Sequence, residues 1–454
     1  DLRGAGAGFD LGIPRDLSFR LQDGSGVQSQ IPAAASASTE HAGGMRRQGA
    51  RDASEQGHAS NAVGEDGDET GKEDLPPSAG TAVPWDRVLG VEAIEEQVRV
   101  LDRLPSVHAY QAGRSAQGRP AYALEITVPR RDGWWSRAKL SAWKCTLLLN
   151  ARHHANEPSS TSALLRLAEL LAHDPDWQRY LKRVNVILMP GENVDGMALY
   201  QELQDEHPTW MHHAARYNGA GMEYTSQYAN AHTRHTEALV MPALWRRWAP
   251  DIYCDDHGFP AHAWVQPFAG HGNPWFRDYW IAQALIYAYL PCVTNDRYPR
   301  HREAADELQR RMVETLAADR QIAPWNERHA DRYYTYLNRW LPEQFPAPYE
   351  RGVLIHRSEY DPDQSARRPG GPSGVPGHFP SVTTASITTE VADETAQGSY
   401  MALCAHAHLL LDRVLLDYLY DANAPAAIQR RQLRLPDGRL LLQATRARPV
   451  IPPG

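Results

Sequence analysis

Residues 143–172 fall into three pieces: Trp143-Lys-Cys-Thr-Leu-Leu-Leu-Asn150, Ala151-Arg-His-His-Ala-Asn-Glu157-Pro158, and Ser159-Ser-Thr-Ser-Ala-Leu-Leu-Arg-Leu-Ala-Glu-Leu-Leu-Ala172. The first is an apolar run of strand length without alternation, which predicts a strand buried on both faces. The last predicts a helix with its N-cap at Ser159 or Ser160. A buried strand, a polar turn and a helix in that order make the repeating unit of an α/β sheet.

The same alternation continues outward. Val91, Ile94, Val98 and Leu101 recur at helical spacing, and Pro105 ends that helix. Strands are expected at 107–112, 121–128, 184–189, 252–254 and 385–390. Helices are expected at 237–248, 279–290, 302–318 and 397–420. This predicts an α/β fold with a mixed, mostly parallel central sheet and helices on both faces, in one catalytic domain over 85–420. The tail 421–454 carries a Pro-Asp-Gly turn between alternating runs, which predicts a hairpin. At the other end, residues 1–27 hold one short candidate strand, Leu17–Leu21. Residues 28–84 are Ala-, Gly-, Ser- and acid-rich, with too little apolar surface to offset chain entropy, and read as a disordered acidic linker.

Composition narrows the function. Lys plus Arg total 47 against 55 Asp plus Glu, a net charge of −8, which argues against nucleic acid or an anionic membrane as partner. No apolar run reaches the roughly 18 residues of a transmembrane helix. Four cysteines in 454 residues cannot form a disulfide scaffold; they read as reduced core thiols and point to a cytoplasmic setting. The chain opens on Asp1 without signal-peptide character, which reads as a processed form or a fragment.

The chemistry is carried by histidine and glutamate. A hydrolytic zinc site needs three ligands from His, Glu or Asp and an open position. His-x-x-Glu occurs at His154–Glu157 and at His356–Glu359, and with 20 histidines one such match is expected by chance. Context separates the two. His154 follows a predicted strand and Glu157 precedes a helix, where open α/β sheets place their sites; Glu359 sits among arginines and reads as a surface ion-pair residue. His257 closes Ile252-Tyr-Cys-Asp-Asp-His257, a second strand end. Glu390 closes a third and is a candidate general base.

In that order the residues resemble the zinc carboxypeptidase family, carboxypeptidase A-like, over roughly 85–420. Gly113-Arg-Ser-Ala-Gln-Gly-Arg-Pro120 looks like the family's entry hairpin, and Asn193-Val-Asp-Gly196 like its Asn-Pro-Asp-Gly turn. Gln266-Pro-Phe-Ala-Gly270 looks like its aromatic segment. The resemblance implies one Zn²⁺ held by His154, Glu157 and His257, with Glu390 as catalytic glutamate. It also implies that Glu223, in Gly221-Met-Glu-Tyr224, supports the first histidine. The implied substrate is a peptide or peptide-like amide.

Departures from the family pattern concern substrate recognition. Thr225-Ser226 stands where the family has its carboxylate-binding Asn-Arg pair, and Asn156 replaces the arginine inside His-x-x-Glu. Trp210-Met-His-His213 stands where the oxyanion arginine follows a tryptophan, and Arg367-Arg-Pro-Gly-Gly where a tyrosine is usual. Candidate substitutes are Arg152, Arg216, Arg367 and Arg368 for the cation, His212 and His213 for the oxyanion, with Asn156 also a substrate contact. Between His257 and Glu390 a long insertion, helical over about 271–350, carries Trp264, Trp275, Trp280, Trp325, Tyr333 and Trp340. It predicts either an aromatic wall over a bulky substrate or an extra helical layer. Two further readings stay open: a zinc amidohydrolase acting on an acylated amino acid, cell-wall or natural-product amide, and a non-catalytic binding module.

Overall fold

The computed structural model describes residues 83–129, 136–228, 230–260, 283–343, 346–361 and 379–422. At the C-terminus it describes 428–434, 436–438, 440–446 and 449–452. The expected strand at 17–21, the linker up to residue 82, Gln266–Gly270, Arg367, Arg368 and the aromatics of 261–282 lie outside the described residues. Val83 is already buried in the core.

The first helix, α1 (Val91–Leu101), buries Ile94, Val98 and Leu101. Then come β1 (Val107–Arg114), β2 (Pro120–Ile126), α2 (Arg137–Trp143) and β3 (Cys145–Ala151). Trp143, expected in the strand, instead ends α2 and is exposed, and β3 starts at Cys145. Ser136 caps α2 by accepting from Lys139 N, a local signal that the neighbouring apolar run masks. Every residue of β3 is buried, as its continuous apolar pattern requires.

Next are α3 (Ser159–His173), α4 (Pro175–Gln178), β4 (Val184–Met189), α5 (Val194–Glu206), α6 (Val240–Trp248) and β5 (Ile252–Phe259). The last part holds β6 (Ile286–Val293), α7 (His301–Ala318), α8 (Ile322–Tyr333), β7 (Tyr349–Glu350), β8 (Val353–Tyr360), β9 (Ala385–Ala392) and α9 (Gly398–Ala422). A helix expected over 279–290 is corrected here: 286–293 is strand β6. Its run Ile-Tyr-Ala-Tyr-Leu is almost wholly buried, and a short run that is apolar all round carries no period to tell strand from helix.

The described strands β1 to β9 make one nine-stranded sheet in the order β1-β2-β4-β3-β5-β9-β6-β8-β7. The central neighbours β4, β3, β5 and β9 run parallel, as do β6 and β8. The β1-β2, β2-β4, β6-β9 and β7-β8 pairings are antiparallel. The sheet is thus mixed with a parallel core. Helix α9 packs on α3 and α7 and against β3 and β9, while α2 and α6 pack together and each touch β3. The predicted tail hairpin is present as β10 (Ile428–Arg434) paired antiparallel with β11 (Leu440–Arg446).

Register decides what meets at the site. Asn150 pairs with Asp255 between β3 and β5, and His257 pairs with Glu390 between β5 and β9. Directly paired residues share a face, and so do residues two apart. Asn150, Asp255, His257 and Glu390 therefore all leave the same face at the C-terminal ends of parallel strands. Cys254, Asp256 and Thr389 point to the other face, where Thr389 meets His408 of α9.

Candidate metal centre

Beyond β3 the chain turns sharply at Arg152, which has a left-handed φ of 58°. Its Nε donates to the Ala155 carbonyl at 2.6 Å, and its guanidinium lies over the Tyr200 ring. These contacts hold the loop that brings His154 and Glu157 back over the sheet end. There His154 Nδ1 and Glu157 Oε1 are 2.9 Å apart, His257 Nδ1 and Glu157 Oε2 are 2.9 Å apart, and the two Nδ1 atoms are 2.9 Å from each other. Gly258 N also donates to Glu157 Oε2 at 2.9 Å.

Each histidine has a second carboxylate behind it. His154 Nε2 lies 2.8 Å from Glu223 Oε2, and His257 Nε2 lies 3.1 Å from Asp255 Oδ2. A carboxylate accepts only, so with a cation among the three inner groups the outer carboxylates would keep each proton on Nε2 and leave each Nδ1 lone pair facing inward. Two lone pairs and a carboxylate facing one another repel unless a proton or a cation lies among them. His₂Glu is a donor set that suits zinc with a position left open, so the residues present fit such an ion.

The neighbouring charges set how each member of the cluster ionises. Burial opposes charge on Glu157, yet His154, Arg216 and His257 hold its carboxyl well below the usual range. Burial likewise opposes charge on His257, and Asp255 and Glu157 outweigh it and raise it well above an ordinary histidine. Burial pushes His154 down. Glu223 is lowered against its own burial by its bonds to His153 and His154. Half-buried Glu390 stands beside His257 in register and opposite Tyr287 of β6.

Two motifs flagged in the sequence interlock. Asp195, in Asn193-Val-Asp-Gly196, accepts from Ser115 Oγ, Gln117 N and Arg119 NH1 of the β1–β2 turn at 2.7, 3.0 and 2.7 Å. Asn193 Oδ1 caps α5 through Gly196 N at 3.0 Å. A Cβ on Gly196 would lie 2.7 Å from the Ala215 carbonyl oxygen and 2.8 Å from Ala155 Cβ. That close approach explains the glycine.

With this geometry in place, residues 96–255 match the model of the zinc carboxypeptidase family. Over those residues the chain is similar to that family. Similar solved structures include a metallo-carboxypeptidase from Burkholderia cenocepacia, 16% identical over 72% of this chain and 69% of that one, with a TM-score of 0.43. Another is a metallo-carboxypeptidase from Pseudomonas aeruginosa in complex with (2-guanidinoethylmercapto)succinic acid, 15% identical over 72% and 68%, TM-score 0.43. A third is bovine thrombin-activatable fibrinolysis inhibitor in complex with tick carboxypeptidase inhibitor, 15% identical over 73% and 99%, TM-score 0.44. A search of curated proteins finds no match.

The remaining candidates separate cleanly. Arg216 comes to the centre: its NH1 lies 2.6 Å from Glu157 Oε1. His213, on the same short turn, pairs with buried Glu394 at 2.9 Å, and burial raises Glu394 to about 7. Three expectations are corrected. Arg152 is 1% exposed and spent on the loop; Asn156 is fully buried with its amide on the Met211 carbonyl; His212 turns away to the His207 carbonyl. Thr225 donates through N and Oγ1 to Glu223, so this segment buttresses the histidine support. Trp325 packs on the core, Tyr333 is buried and Trp340 is exposed. Glu359 pairs with Arg302 at 3.0 Å on the surface, as expected.

Sequence reasoning passed over His153, Glu192, Asn150 and Asp255, all buried beneath the centre. Their signal was present in charged or amide residues placed at the ends of otherwise apolar strands, next to the recognised ligands. Burial works against charge on His153, and Glu192 and Glu223 together raise it to about 10.

Gly258 gives a stability test of the packing around Glu157. A Cβ there would lie 2.0 Å from Asp393 Oδ1 and 3.1 Å from Glu157 Cβ. Asp393 cannot yield, because its other oxygen is held by Ser159 N at 2.8 Å and by Ser159 Oγ. Gly258→Ala is expected to cost about 3 kcal/mol, read as a lower urea midpoint at unchanged m.

Proposed function

We propose that the chain is a zinc metallopeptidase that hydrolyses a peptide or peptide-like amide bond. The observation that carries this reading is the convergence of His154, Glu157 and His257 with Glu390 in register on the same face of the sheet. A bound zinc ion would polarise the scissile carbonyl and make a water molecule acidic near neutral pH. The Glu390 carboxylate takes the proton of the attacking water and passes it to the departing amine, ordinary work for a positioned carboxylate. The Arg216 guanidinium, beside Glu157, supplies a fixed positive charge for the oxygen that becomes negative as the carbonyl is attacked. Glu223 and Asp255 keep both histidines in the tautomer that turns Nδ1 inward.

A second reading is favoured by one observation, the occupation of the family's cation position by Thr225-Ser226. An amidohydrolase using the same centre would cleave substrates without a free terminal carboxylate. One experiment tests both. The purified protein is assayed for zinc, then offered matched peptides with free and blocked C-termini before and after chelation. Stoichiometric zinc with chelation-sensitive cleavage of the free form alone supports the carboxypeptidase; cleavage of blocked forms supports the amidohydrolase. Zinc-loaded protein inert on both, across a peptide library and an acyl-amino-acid panel, would sink the hydrolase reading.

A further inference from the structure

The hydrogen bonds beneath the centre join into one path. It leaves His154 Nε2 and reaches Glu223 Oε2 at 2.8 Å; Glu223 Oε1 is 2.8 Å from His153 Nε2. His153 Nδ1 is 3.2 Å from Glu192 Oε2, which also accepts from Asn150 Nδ2 at 2.6 Å. The second Nδ2 proton of Asn150 goes to Asp255 Oδ1 at 2.9 Å, and Asp255 Oδ2 meets His257 Nε2 at 3.1 Å. Tyr228 OH donates to Glu192 Oε1 at 2.6 Å. The path begins on one candidate metal ligand and ends on the other.

We infer that this buried belt sets both histidines together, and that Glu192, at its middle, is a positioning residue for the metal centre. The inference rests on the reading that His154, Glu157 and His257 hold zinc.

Donor and acceptor counts leave the belt one direction. Asn150 spends both amide protons on carboxylates, and its Oδ1 is buried without a partner. Flipping the amide would set that oxygen against Glu192 and Asp255, two acceptors, so the orphaned oxygen is the lesser cost. With Asn150 fixed, Glu192 Oε2 accepts from it and also faces His153 Nδ1, while Glu223 Oε1 faces His153 Nε2. Each carboxylate on a ligating histidine is therefore itself held from behind: Glu223 by His153, Asp255 by Asn150. Among the described residues, Glu192 is the group that bonds to both holders. It is completely buried, and its recorded partners are Asn150, His153 and Tyr228, with neither metal ligand among them.

Glu192→Gln keeps the shape and removes two acceptor sites. The expected result is a zinc affinity lower by about 10–100-fold, the range for partners that orient ligating histidines. It is measured by competition with a chelator. Displaced d–d absorption bands in the cobalt-substituted protein are expected too, and partial recovery of both in Glu192→Asp. Tyr228→Phe, which deletes one donor and keeps the charge, should move both readouts the same way by less. A residue that only filled space would change stability and leave the cobalt spectrum alone. Wild-type zinc affinity and cobalt spectrum in folded Glu192→Gln would overturn the inference while leaving the metal reading intact. If that variant does not fold, unchanged affinity in Tyr228→Phe overturns it instead. A wild-type chain that takes up no zinc would overturn both.

Discussion

Glu390→Gln is expected to lower kcat by about 10²–10⁴-fold, the contribution of a positioned proton-transfer group, with zinc content unchanged. The substitution keeps size and hydrogen-bonding capacity but removes the basic oxygen. Glu390 is not among the residues that close on the metal position; it emerges one strand over from His257, on the same face. The loss should fall on kcat and kcat/KM alike, because what disappears is an interaction made in the transition state. A variant that kept wild-type turnover on a proven substrate would remove Glu390 from the proposed mechanism.

His257→Ala is expected to lose zinc outright, by more than the 10–100-fold typical of outer partners, and activity with it. Only His154 and Glu157 would remain, too few for a site of three protein ligands. The same change leaves the Asp255 carboxylate with one partner fewer in a buried place, and breaking such a pair costs about 3–5 kcal/mol. Metal content should accordingly be read at a temperature where the variant is folded by circular dichroism. Stoichiometric zinc in the folded variant would contradict the assignment of His257.

How much of this was legible in the residues follows from which interactions leave a local trace. β3 was legible because a strand buried on both faces must be apolar at consecutive positions. His154, Glu157, His257 and Glu390 stood out because each is a His or Glu near the C-terminal end of an apolar run or just before a helix; His257 and Glu390 lie within β5 and β9, two residues short of their ends. β6 was not, because burial all round erases periodicity. Arg216 was legible only as one of four candidate cations: the stretch 207–224 is mostly irregular, and the reach of a long guanidinium side chain is not written in residue spacing. Glu192 and His153 were missed for a different reason. Their partners lie 36–75 residues away in sequence, and a buried charge is intelligible only once all its partners are in view.

The antiparallel neighbour β6 has a bearing on motion. Because β6 continues the sheet past β9, the strand bearing Glu390 is laced along both margins, with β5 on one and β6 on the other. A strand at the rim can fray by itself, whereas one stitched on two sides opens only when a larger unit of the molecule opens with it. Glu390 thus rides on one of the last parts of the backbone to loosen.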